Sequence, residues 1–152
     1  MLETLDRLVD EVGALHSKLI LLIGAAGTGK TALLRALAKS RNLTPLCIGS
    51  ALGSRLAAIP QRQRHLQVPI ILRELADQHA QGDLLLIDNI ELLFDRTLQL
   101  DPIDLLKRHA HARRVVAVWP GEFHDGRLTY AVMGHPEYQD YGINGLVPFQ
   151  IQ

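Results

Sequence analysis

Two spacings of apolar residues alternate along the chain. Leu2, Leu5, Leu8, Val9, Val12 and Leu15 recur every three or four positions, which predicts an amphipathic helix over residues 2–15, within an N-terminal segment 1–16. Residues 18–23 are apolar almost without interruption and end in glycine, the pattern of a short strand buried on both faces. Helical spacing returns over 31–39 and again over 51–59, where Pro60 stops it. Residues 45–48 form a second strand candidate between them. Residues 61–67 are polar and basic and read as a loop. A helix over 68–78 follows, with Pro69 in its first turn, where a missing N–H costs nothing. Residues 84–87 form the strongest strand. A helix over 102–111 has Asp101 as its N-cap. Strands over 115–119 and 146–151 complete the pattern, with Asp125-Gly126 as a hairpin turn between short segments.

Strands that alternate with helices imply right-handed crossovers and a mainly parallel sheet covered on both faces. Ligands of such sheets sit beyond the carboxyl ends of the strands. At 152 residues the chain is expected to form a single α/β domain, residues 1–152. The longest apolar stretch is about seven residues, too short for a membrane span. One cysteine, Cys47, excludes an intrachain disulfide and reads as a small buried hydrophobe; a reducing cytoplasm is the expected setting.

Charge changes the picture in its distribution. Sixteen basic residues balance sixteen acidic ones, against a strongly basic nucleic-acid binder. Yet nine basic residues and no acid lie between Val12 and Arg73, whereas residues 74–152 hold twelve acids and six bases. Either the halves offset one another across the fold, or the first half meets an anionic ligand or partner. Arg62, Arg64 and His65 are the candidates for contact with DNA, which the net charge does not favour.

The candidate chemistry begins at Gly24-Ala25-Ala26-Gly27-Thr28-Gly29-Lys30-Thr31, a complete G-x-x-x-x-G-K-[ST] phosphate loop between a strand and a helix. Such a loop must wrap around an anion, and Gly24, Gly27 and Gly29 relieve the positions where a Cβ would obstruct. Backbone N–H groups from Ala26 to Thr31, together with the N-terminus of the following helix, face the phosphates. Lys30 is expected to reach the β- and γ-phosphates of ATP, and Thr31 to offer its hydroxyl to Mg²⁺. The apolar strand 84–87 ends in Asp88, an acid on the same side of the sheet and the expected second metal contact. This pairing implies the P-loop NTPase fold of the additional-strand type. Many such ATPases carry a glutamate directly after the metal-binding aspartate; here Asn89 stands there, and it cannot remove a proton. Asn89 and Glu91 are the candidates for positioning water. Glu91 reads equally well as a first-turn acid of a helix capped by Asn89. Slow hydrolysis, nucleotide binding without turnover, and a small-molecule kinase all stay open. No guanine-reading N-K-x-D pattern is present.

Farther along, Trp119-Pro120 occupies the strand end where such ATPases place a small polar sensor, so Trp119 reads as packing or an adenine-side contact. Arg113, Arg114 and Arg127 are either solvated or available to a neighbouring subunit's phosphate. The turn His135-Pro136-Glu137-Tyr138 reads as structural, and the seven histidines form no metal-ligand cluster.

The ordered set LLIGAAGTGKTALLRALA, RQRHLQVPIILREL, LLLIDNIELLFD, DPIDLLKRHAHARRVVAVWPG and LTYAVMGHPEY resembles the BrxF-like family, the small P-loop proteins of type 3 BREX (bacteriophage exclusion) systems. The resemblance covers nearly the whole chain. It implies an AAA-like core without a helical lid domain, in a multi-protein phage-defence system that also contains a larger ATPase, a DNA methyltransferase and a phosphatase-like protein. Those proteins, the larger ATPase among them, are the partners it implies; a homo-oligomer is a separate expectation that the sequence leaves open.

Overall fold

The structure, a computed structural model, describes residues 1–14, 18–25, 27–130 and 139–151. Helix α1 (Leu2–Val12) precedes strand β1 (Leu19–Ile23), and α2 (Lys30–Ser40) follows the glycine-rich loop. Next come β2 (Leu46–Cys47), α3 (Ile48–Leu56), α4 (Gln61–His79) and β3 (Leu84–Asp88). Two 3-10 turns (Glu91–Phe94 and Arg96–Leu98) lead to α5 (Pro102–Ala112) and β4 (Arg114–Val118). After β5 (Glu122–His124), β6 (Arg127–Tyr130) and β7 (Gln139–Gly142) comes β8 (Val147–Gln150).

The main sheet is parallel throughout, in the order β2-β3-β4-β1-β8. β4 is thus inserted between β1 and β3, the arrangement that defines the additional-strand type. Alternation of side chains along each strand divides the core in two. Leu19, Leu21, Ile23, Leu85, Ile87, Val115 and Ala117 face α3, α4 and α5. Ile20, Leu22, Leu84, Leu86, Val116 and Val118 face α1 and α2. All five residues of β1 are buried, as a central parallel strand requires. Asp101 caps α5 as its sequence predicts, accepting from the Asp104 N–H at 3.1 Å. Among the described residues no helix is long and apolar enough to cross a membrane.

Part of the basic first half is engaged within the fold. Arg41 donates to Asp6 Oδ1 at 2.9 Å and Asp10 Oδ1 at 2.8 Å, and so moors α1. Arg55 pairs with Glu74 at 2.6 Å. Arg64 donates to the Ile59 carbonyl at 2.9 Å, while Arg62 is exposed on the first turn of α4.

Two expectations fail here. Residues 61–67 form the first two turns of α4, and Pro69 lies inside that helix. The polar run misleads because these turns are exposed or half-buried, and only from Val68 onward does α4 bury a stripe: Val68, Ile71, Leu72, Leu75 and Ala76. Pro69 therefore denies the His65 carbonyl its i+4 partner. The Asp125-Gly126 turn does join a hairpin. Its positive φ values of 52° and 73° are those of a type I′ turn. The third strand of that antiparallel sheet, β7, carries no clear sequence signal. The His135-Pro136-Glu137-Tyr138 turn lies outside the described residues.

Pro69→Ala restores a helical hydrogen bond at an exposed position. It is expected to raise stability by about 1–3 kcal/mol, read from the urea midpoint. A second expectation concerns Asp83, which takes a two-pronged ion pair from Arg114 (2.7 and 3.1 Å). The Arg114 hydrogen bonds, before its charge, hold the Asp83 carboxyl below the ordinary aspartate value. The stabilisation is present above that ordinary value and is lost as pH falls through the lower, folded one. Because Asp83 is 61% exposed, Asp83→Asn should cost under about 1 kcal/mol at pH 7. That gap should close on acidification well below about pH 4 in pH-dependent urea melts.

Candidate nucleotide-binding site

The carboxyl ends of β1, β3 and β4 converge on one edge of the sheet, with the glycine-rich loop across it. The loop turns back on itself through Thr28, whose N–H and hydroxyl both donate to the Ala25 carbonyl, at 3.2 and 2.7 Å. Gly27 and Gly29 take φ values of 82° and 90°, in the left-handed region that strains other residues. Gly24 is required by proximity: a Cβ there would stand 2.6 Å from the Thr28 hydroxyl and 2.9 Å from the Ile151 carbonyl oxygen. Ala26 lies outside the described residues.

Helix α2 starts directly from this loop. Gly29 is its N-cap, so no side chain caps its first turn, and that turn holds no acid. Its leading N–H groups and partial positive charge are left for an anion. Lys30 Nζ donates to the Gly24 carbonyl at 2.9 Å and the Trp119 carbonyl at 3.0 Å, bridging the ends of β1 and β4. Burial holds the Lys30 pKa below the ordinary lysine value, and the nearby Glu91 carboxylate opposes that shift. One position on, the Thr31 hydroxyl donates to Asp88 Oδ1 at 3.3 Å. An uncapped helix start, an ammonium group and a hydroxyl beside a carboxylate fit a polyphosphate with a divalent cation.

The structure therefore brings Gly24, Ala25, Gly27, Thr28, Gly29, Lys30, Thr31, Asp88 and Glu91 to one end of the sheet. Glu91 is exposed and opens a 3-10 turn, where a helix was expected. Asn89 is not its cap: Ile90 holds that position, without a side-chain bond. Asn89 has a φ of 56°, and its amide donates to Cys47 Sγ at 3.5 Å while its carbonyl accepts from the Gly49 N–H at 3.1 Å. Its side chain is thus turned toward β2 and α3. Cys47 itself is half-buried, at the end of β2 beside Asp88.

Trp119 is fully buried, with Nε1 donating to the Thr129 carbonyl at 3.1 Å and its ring edge-on to Phe94 and Tyr141. Burial leaves no face for an adenine contact, so of its two expected roles only packing stands. Its main-chain carbonyl, which receives Lys30, is the site group that the sequence could not reveal, because every residue has one. Arg113 and Arg114 lie at the opposite end of β4. They bind Asp77 at 2.7 Å and Asp83. Arg127 pairs with Asp140 at 2.8 Å in the small sheet.

Strand order, loop and acid together define a P-loop nucleotide-binding domain of the additional-strand type. The chain belongs to the AAA family, the ATPase family associated with various cellular activities, which matches residues 20–117. The family supports ATP as the nucleotide and, usually, Mg²⁺ with it. No curated protein matches the chain. A solved structure described as a DNA replication initiation factor is similar over 76% of this chain, at 22% identity and a TM-score of 0.47. The chain spans 36% of that structure's length.

Since Glu91 props up the Lys30 pKa, Glu91→Gln should lower it further. The shift is measurable by NMR titration of the lysine side-chain resonances. An unchanged Lys30 titration would show that the two charges do not interact.

Proposed function

We propose that the chain binds ATP·Mg²⁺ at this loop and serves as a slow ATPase or nucleotide-gated subunit of a phage-defence complex of the BREX type. The convergence of Lys30, Thr31 and Asp88 carries the nucleotide part of this reading. Loop amides and Lys30 would hold the phosphates; the Thr31 hydroxyl and the Asp88 carboxylate would hold Mg²⁺. The bound nucleotide supplies a hydrolysable phosphoanhydride and the metal offsets its charge.

Slow turnover follows from the groups available to water. Asn89 has no basic atom to offer and is turned toward Cys47. Glu91 is the carboxylate whose charge reaches Lys30, and it is the residue assigned to orient water. The orientation of Asn89 also favours a second reading, in which ATP switches partner contacts without being cleaved. The phage-defence setting and the system's larger ATPase as partner are supported by the sequence resemblance, and a cytoplasmic location by the single cysteine.

ATP·Mg²⁺ at a hundred times its Kd should stabilise the wild type by about 2.7 kcal/mol, a rise of several degrees in Tm for a domain of this size. Lys30→Ala should keep the fold and lose that rise; an equal rise in the variant refutes the assignment. Phosphate release that falls at least about tenfold in Glu91→Gln, with binding retained, supports the ATPase. Zero release from the wild type, alone and with the larger ATPase, supports the switch.

A further inference from the structure

Beside the phosphate loop lies a cleft of about 220 Å³. It is walled by Gly24 and Ala25 of the loop, by Glu122, Phe123 and His124 of β5, and by Gln150 at the end of β8. β8 flanks β1 on one side, whereas the Thr31–Asp88 pair lies toward β3 on the other. A cation held by Thr31 and Asp88 would draw the terminal phosphates of a nucleotide toward β3. That arrangement leaves the β8 side, where the cleft opens, for the α-phosphate and nucleoside.

Its lining has the make-up of a nucleoside site, an apolar wall with a few polar groups. Phe123 is half-buried against the core. Gln150 is exposed, and its amide offers one donor and one acceptor, the complement of the adenine edge. Glu122 is 69% exposed and is met by His124 Nε2 at 2.9 Å; its carboxylate is suited to accept from ribose hydroxyls. The wall is held in place, because the type I′ turn ties β5 to β6 and the Trp119 indole fastens β6 at Thr129. Residues 122–124 and 150 lie outside the 20–117 span that matches the AAA family.

We propose that this cleft receives the adenosine of bound ATP, with Gln150 reading the base and Glu122, positioned by His124, the ribose. The inference rests on the nucleotide-binding reading above. Calorimetric titration of ATP, GTP and inorganic tripolyphosphate, each with Mg²⁺, tests it on wild type, Gln150→Leu and the double variant Glu122→Ala/His124→Ala. All three positions are exposed, so the variants should fold as the wild type does. Expected is a loss of about tenfold or more in ATP affinity in each variant, with tripolyphosphate affinity unchanged and the ATP-over-GTP preference reduced in Gln150→Leu. Wild-type binding of ATP with variants that leave its affinity unaltered, or that weaken ATP and tripolyphosphate equally, overturns the cleft assignment alone. A wild type that takes up neither ATP nor tripolyphosphate overturns the parent reading with it.

Discussion

The parallel pairing of β1 with β4 is the constraint on which the site depends. It sets Leu22 opposite Val118, so the two strands end together and present the carbonyls of Gly24 and Trp119 within reach of one ammonium group. It also makes β4 the neighbour of β3, which brings Asp88 to the same edge as Thr31, 57 residues away in sequence. Strands buried on both faces hold this alignment by packing. A slip of one residue would exchange the side chains of the two core faces and force both to repack.

Much of this was legible in the order of residues. Strands that end in a phosphate loop and in an aspartate are specified locally, by apolar runs and by glycines at fixed spacing. The loop and Asp88 therefore fall where the pattern puts them. Helix α4 begins earlier than its apolar pattern because none of residues 61–67 is buried. Hydrophobic periodicity has nothing to register there, and a proline in the ninth position of a helix carries the same local signal as one in its first turn. The small antiparallel sheet was half visible: a left-handed Asp-Gly pair announces a turn, whereas the partner β7 is fixed by contacts distant in sequence.

The candidate site divides in the same way. Side chains named by a motif are found where expected. Groups that act through the main chain, such as the Trp119 carbonyl, leave no mark in the sequence. Asn89 shows a third case. Its residue type reports the missing acid correctly, but its direction is set by a left-handed backbone and by the nearby first turn of α3, and neither can be read from one position.

Trp119 joins two parts of the molecule through two different atoms, its carbonyl at Lys30 and its indole nitrogen at Thr129. It is also the only tryptophan of the chain. The protein thus carries its own optical label at the joint between loop and small sheet. Intrinsic emission will sense the electric field of the lysine and the solvent shielding of the aromatic cluster at once, with no dye attached and no residue replaced.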